Sequence, residues 1–567
     1  MNSKCASAAL FLVLLAGLNF SSAQDQPAQT GTVLKSTTRL VVVDVVASNA
    51  KGEPVPDLSI HDFKLLENGK EQEIRVFDFQ HPRESQPANA QAASPAKLPP
   101  NVFTNIPAYK QGSALNVVLL DALNTTTPRQ AFAHDELLRF LEKFTPDGPV
   151  AIYVLAPSLR LLQDFTDDPQ LLKTAASRLD VKGTVLLDNK TGGPPVVMPA
   201  IAGNPLNGAI RSREKESRDF STLEQVDITF AALNSIARSL ASYPGRKNLI
   251  WISDGFPFYI NPRSASESYS KNFGRQVSVT DNVLMNSQIA IYPVDAHAIQ
   301  AISFYDIGIG SLRDLGVTAV TGGTASMRFM SNDFNERLAV HSTMNDLAEE
   351  TGGEAFYNSN SIDSALRKSF ADGSTYYTLG YYPQNKNWDG KFRKIEVKAA
   401  RPGVRLRYRL GYYALEPGTL HGGPGNPEGA LHQALDPNSP VSSALQFRAA
   451  VIAPSEKTSN KLVVNFGIDP RAISFEKDKD GVQHASVECA VEAYSSNGKV
   501  KSEASTVNAA LQPDAFAHVQ QTFFPCQERL DLPAGTYILR LGVVDAHTGM
   551  VGTTNAMATV ARESASH

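Results

Sequence analysis

The stretch LNVVLLDALNTTTPRQ, residues 115–130, decides the fold. Leu115 to Asp121 is a near-continuous apolar run that ends in a carboxylate. Such a run suits a strand buried on both faces, as in a parallel sheet. A helix start follows at once, with Thr127 as N-cap, Pro128 at the first helical position and Gln130 as the capping-box partner. Leu137, Leu138, Leu141 and Phe144 then recur at helical spacing. The same rhythm continues downstream. VAIYVLA (150–156), LRLLQDF (159–165), LIWIS (249–253), IAIYPVD (289–295) and EAFY (354–357) read as strands. Helices are expected after Asp168-Pro169, from Phe230 to Leu240, from Asn332 to Glu350 and from Ser364 to Phe370. Apolar strands alternating with amphipathic helices predict an α/β domain over 114–372, with a doubly wound, mostly parallel, Rossmann-like sheet. Two stretches rich in Gly, Ser, Thr or Pro, 181–220 and 296–330, read as surface insertions.

On either side the pattern turns to β. Residues 32–80 predict a small N-terminal β module, with RLVVVDVV (39–46) as one strand and Asn68-Gly69 as a hairpin turn between FKLLE and KEQEIRVF. Residues 81–113 read as a Pro/Ala-rich linker. A β extension over 373–415 is dense in tyrosine, which predicts cross-strand aromatic packing. A second linker, 416–441, leads to a C-terminal β-sandwich over 442–562. Its strands are expected near 445–453, 461–468, 486–494, 517–525, 535–545 and 551–560.

At 567 residues, the chain has room for three or four folding units. Its 53 basic and 57 acidic residues give a net charge of −4, so no basic field exists to hold nucleic acid. Residues 1–23 read as a cleaved secretory signal: Lys4, a short apolar run AALFLVLLAGL, then Ser21-Ser22-Ala23. The expected location is therefore secreted, periplasmic or in the cell envelope, with no transmembrane segment in the mature chain. Cleavage removes Cys5, and the two cysteines that remain, Cys489 and Cys526, predict one disulfide.

In α/β sheets, ligands sit at the carboxyl ends of the strands. Asp121 and Asp254 each follow an apolar run and should stand on the same edge. Two carboxylates with the hydroxyl of Thr125 make a candidate site for a small hard cation, Mg²⁺ or Mn²⁺. An open coordination position would then accept an acidic side chain of a partner protein. The other reading is that both aspartates cap helices or accept loop amides. As a strand-end residue, Asp121 should be replaceable by Ala without loss of the fold.

The order of elements resembles a von Willebrand factor A domain. That family's metal-ion-dependent adhesion site opens with Asp-x-Ser-x-Ser, and Asp121, Leu123 and Thr125 stand at those positions. The distal aspartate matches Asp254 within ISDG, and Thr222 and Thr229 both qualify for the threonine before the third helix. Leu123 cannot ligate a metal, so the resemblance implies a degenerate site, which Leu123→Ser should strengthen. The flanks KGEPVPDLSIHDFKLLENGKEQEIRVFDF, PGRKNLIWISDGFP and YTLGYYPQNKNWDGKFRKIEVKAARPGVRLRYRLGYYA resemble the von Willebrand A-related exported proteins of acidobacteria, over roughly residues 30–415. The resemblance implies an exported protein of the protein-binding or adhesion type. A structural envelope scaffold with a dead metal site is the alternative. Asp121-Ala-Leu-Asn-Thr125 also resembles the Asp-x-Asp-x-Thr loop of haloacid dehalogenase-like phosphotransferases, but Leu123 replaces the acid that would move the proton. The chain has no Gly-x-Ser-x-Gly, His-Glu-x-x-His or Walker A motif, and no enzyme activity is expected.

Overall fold

The structure is a computed structural model that describes residues 40–81, 98–106, 115–144, 148–179, 224–255, 267–296, 322–357, 362–415 and 431–561, apart from 433, 438, 456–457 and 459–460. Residues 1–23, read above as a signal, Thr222, the stretch 181–220 read as an insertion and most of both expected linkers lie outside these residues.

The quoted stretch forms the middle of a five-stranded sheet. Its strands are β1 (Leu115–Asp121), β2 (Val150–Leu155), β3 (Leu159–Thr166), β4 (Lys247–Ser253) and β5 (Ile289–Asp295). The order is β5-β4-β1-β2-β3, with every pairing parallel except β2 with β3. Helices α1 (Thr127–Lys143), α2 (Pro169–Ser177), α3 (224–240), α4 (Glu267–Asn286), α5 (Gly322–Thr351) and α6 (Ile362–Ser374) belong to this unit. Alternation along the strands divides the core. Val118, Leu120, Ile250 and Ile252 pack with Leu137, Leu172 and Leu366 of α1, α2 and α6. Val117, Leu119, Leu249 and Trp251 pack with Leu233, Val283 and Met344 of α3, α4 and α5. Both faces are covered, so both need apolar residues, which is why β1 reads as a near-continuous apolar run. The other four sheets are antiparallel, so the chain as a whole is mixed α/β and mostly antiparallel in its sheets.

Local corrections are instructive. The N-cap of α1 is Thr126, one residue before the expected position. The Gln130 amide donates to the carbonyls of Ala122 (3.0 Å) and Thr125 (2.7 Å), which ties the helix to the loop after β1 in place of closing a capping box. EAFY is reduced to a single bridge, Phe356 to Val294. Helix α5 begins at Gly322, inside the stretch expected as an insertion.

The N-terminal module and the β extension are one body. Strand Val41–Ser48 pairs with Tyr376–Tyr381 and Arg405–Arg407, and Phe63–Glu67 pairs with Phe392–Ala399. Val43, Val45, Leu65, Leu379 and Tyr381 share its core. Asn68 and Gly69 turn the hairpin at φ 48° and 79°, as anticipated. KEQEIRVF breaks after Gln72, because Val76–Gln80 leaves to pair with Tyr376–Tyr381 in the other sheet. Rings of Phe63, Phe77 and Phe79 lie 5.2, 5.9 and 4.6 Å from that of Tyr377, the expected cross-strand packing.

The C-terminal unit packs one sheet of Phe447–Ile452, Leu462–Ile468 and Phe524–Leu530 on another of Gln483–Ser495, Gly498–Leu511, Gly535–Asp545 and Val551–Val560. Val102–Thr104, expected within the linker, adds a strand to the first sheet beside Arg448–Ala450. The strand expected near 517–525 begins only at Phe524, after a helix, Pro513–Gln521, which Pro513 opens and whose first turn holds Asp514. The long strand Gly498–Leu511 was not anticipated, since it is mostly exposed and carries little apolar signal. Cys489 and Cys526, one on each sheet, are joined across the core with Cα atoms 6.6 Å apart. Among the described residues, no helix is long and apolar enough to cross a membrane.

The amino ends of the central strands are closed by the N-terminal β body. Gly245 turns into β4 at φ +78°, and a Cβ there would stand 2.7 Å from the Tyr376 hydroxyl. That hydroxyl accepts the Arg246 amide at 2.9 Å. The Arg246 guanidinium donates to Tyr292 Oη (3.0 Å) and to the Gly352 carbonyl (2.6 Å). Lys247 Nζ donates to the Ser287 carbonyl at 2.8 Å. Asp44, from the β body, accepts from Thr378 and Gln288 beside them. All three charged groups are buried.

Candidate functional site

The opposite edge carries the predicted site. Asp121 closes β1 opposite Leu155, and Ser253 closes β4 opposite Asp295 at the end of β5. A third strand therefore ends in an acid, which the sequence reading passed over even though IAIYPVD displays it.

Asp121 is buried, and its oxygens are fully engaged. Oδ1 accepts the Asn124 amide N–H, and Oδ2 accepts Asn124 Nδ2, Trp251 Nε1 and Ser253 Oγ, each at 2.9 Å. Burial raises the carboxyl pKa, and the hydrogen bonds from Asn124, Trp251 and Ser253 oppose that rise. Asn124 also donates to Thr229 Oγ1 at 3.1 Å, and Thr229 donates to the Gln225 carbonyl at 2.7 Å. Thr125 Oγ1 accepts the Asp254 amide at 3.0 Å. The Asp254 carboxylate is paired through both oxygens with one guanidinium nitrogen of Arg129, and Thr126 Oγ1 donates to it at 3.3 Å.

The fold thus gathers these residues into two adjacent hydrogen-bonded groups, Asp121 with Thr229 through Asn124 and Thr125 with Asp254. Thr229, rather than Thr222, is the threonine seen at this edge; Thr222 lies outside the described residues. Leu123 takes no part. Its side chain is buried in the core with Leu155 and Leu159, so a serine there would replace a packed apolar group. Asp121 does not behave as a dispensable strand-end residue either, because replacing it by Ala would strand donors from the loop and from β4.

Sequence reasoning missed Asn124, Ser253, Arg129 and the pair Asp295–His341. Asn124 follows Asp121 at the i+3 spacing by which an aspartate accepts a loop amide, a legible signal. Arg129 read only as a helix-start residue. His341 Nε2 lies 3.2 Å from Asp295 Oδ2 and stacks on Tyr357 at 4.3 Å; 46 residues separate the pair, so no local pattern announces it.

As arranged, the donor set does not fit a hydrated divalent cation. Every oxygen of Asp121 and Asp254 already has a donor or a cationic partner. Among the described residues, no three His, Cys, Asp or Glu side chains converge in a metal-holding group.

No protein-family profile matches the chain, and no curated protein matches it in sequence. Among solved structures, similarity extends to an aerotolerance-related membrane protein from Bacteroides fragilis NCTC 9343, at 13% identity over 46% of this chain and 98% of that one, TM-score 0.23. The PilB minor pilin from Streptococcus sanguinis overlaps at 10% identity over 47% of this chain and 61% of its own, TM-score 0.24. A von Willebrand factor type A structure from Catenulispora acidiphila overlaps at 8% identity over 60% of this chain and 74% of its own, TM-score 0.24. Likenesses this distant carry nothing about function.

Proposed function

We propose that the chain is an exported protein-binding protein whose central α/β unit, of the von Willebrand factor A type, receives a partner protein at the carboxyl edge of its sheet. One observation carries the reading. Asp121, Asp254 and Asp295 stand at neighbouring strand ends, and the longest connections of the central unit are entered at that same edge. It leaves there at Leu179, which lines a small cavity with Asp121 and Thr125, at Gly255 and at Ala296. Loops after parallel strands are where such sheets bind, because they can vary without disturbing the core. Among the described residues, the amino edge is covered by the β body. Export follows from the signal-like residues 1–23, and no catalytic role is assigned to the edge.

The test uses affinity capture from envelope extracts with the full chain and two surface variants. Thr127→Arg places bulk on an exposed position at the rim of the edge, and Thr506→Arg does the same on the distant C-terminal sheet. A partner retained by wild type and Thr506→Arg but lost by Thr127→Arg supports the reading. Equal capture by all three sinks it and leaves the envelope-scaffold reading in first place.

A further inference from the structure

The four side chains expected to hold a metal are all committed to partners within the protein. The Asp254 side chain is only 7% exposed, and a carboxylate so placed needs a compensating charge nearby. Arg129 supplies it from the first turn of α1, through one nitrogen that touches both Asp254 oxygens. Its side chain is 34% exposed, so the guanidinium lies at the mouth of the edge. Asp121, one strand over, is neutralised differently, by four hydrogen-bond donors. Thr125 faces the Asp254 amide, and Thr229 lies between Asn124 and Gln225. To enter, Mg²⁺ would have to lose most of its hydration and displace a charge-assisted pair as well as these bonds, and Mg²⁺ dehydrates reluctantly.

We propose that the guanidinium of Arg129 is the resident cation of this edge, standing where a divalent ion was expected, so that the edge works without Mg²⁺ or Mn²⁺. An arginine at that place presents planar N–H donors to an incoming carboxylate, a role a metal would otherwise fill. Recognition at the edge would then be insensitive to chelators. The inference concerns the edge on which the proposed function rests, but its test needs no partner, so the two can fail separately.

The experiment is a calorimetric titration of the full chain with MgCl₂ and MnCl₂, together with thermal unfolding in EDTA and in millimolar Mn²⁺. Wild type is expected to give no saturable heat and the same unfolding midpoint in both media. Arg129→Met keeps the apolar stem and removes the charge. It should unfold at a lower temperature in EDTA and recover with Mn²⁺, because Asp254 is then left uncompensated. Arg129→Lys, which keeps the charge, should ignore both metals as wild type does. Stoichiometric Mn²⁺ binding by wild type, abolished in Asp254→Asn, overturns the proposal, and this arm decides even if Arg129→Met does not fold. A folded Arg129→Met that shows no response to Mn²⁺ overturns it too, since arginine would then not be what excludes the ion.

Discussion

The two edges of the central sheet hold similar numbers of charged groups and use them in opposite ways. At the amino edge, Asp44, Arg246 and Lys247 are sealed between the sheet and the N-terminal β body, and their partners come from four or more distant segments. At the carboxyl edge, Asp121 and Asp295 are buried and the Asp254 side chain nearly so, but its partner Arg129 reaches the rim, one third exposed. The exposure of the cation, and not the number of charges, therefore separates cement from site. A charge walled in by two packed bodies can only hold them together, whereas one at an open rim remains available to something outside.

This contrast can be broken most sharply at the amino edge. Arg246→Met should destabilise the protein by about 3–5 kcal/mol, because it leaves Asp44 buried without its strongest compensating charge and strips donors from Tyr292 and Gly352. Urea unfolding measures this; a loss within experimental error would show that the edge is wet and the contrast false. Asp121→Ala comes next, at roughly 3 kcal/mol, since several buried donors lose their acceptor at once. A fully stable variant would move Asp121 into the same class as the rim.

Lys247 sharpens the comparison through pH. Burial pushes its ammonium pKa down to about 7, and Asp44 offsets part of that shift. In the unfolded chain the lysine stays near 10.5, so the unfolded state binds more protons between about 7 and 10.5. Its contribution to stability must therefore rise with pH across that window. Relative to Lys247→Met, wild type should gain stability steadily between neutral and strongly alkaline pH. A constant difference between the two would mean that the ammonium is solvated in the folded state. The smallest effect belongs to the rim. Asp254→Ala should cost about 1 kcal/mol or less, as partly exposed ion pairs do, while weakening partner capture far more. A stability loss as large as that of Arg246→Met would erase the distinction between the edges.

Much of this was legible where the signal is local and repeats. The apolar runs of β1, β2, β4 and β5 announce strands covered on both faces. Asn68-Gly69 announces its hairpin, because few other residues adopt positive φ twice in succession. Weakly apolar elements were harder to read. Gly498–Leu511 is a strand because Gln483–Ser495 offers it a ladder, and Pro513–Gln521 is a helix because proline and aspartate start one well. Val102–Thr104 lies in a Pro-rich stretch, and only pairing with Arg448–Ala450, more than 340 positions away, makes it a strand.

By itself, the sequence determined the alternation of strand and helix, the edge on which the strand-end acids gather, and the two cysteines that could pair. All of these depend on residues near one another in the chain or on simple counting. The tertiary structure alone decided what the charges do. Whether Asp254 meets water, a metal or an arginine depends on which side chain the turn into α1 brings across the gap, 125 residues away in sequence. Whether Asp121 is a ligand or a buried acceptor depends on Trp251 and Ser253 arriving from the neighbouring strand. The energy of a charge depends on everything within a few ångströms of it, and that neighbourhood exists only once the chain has folded.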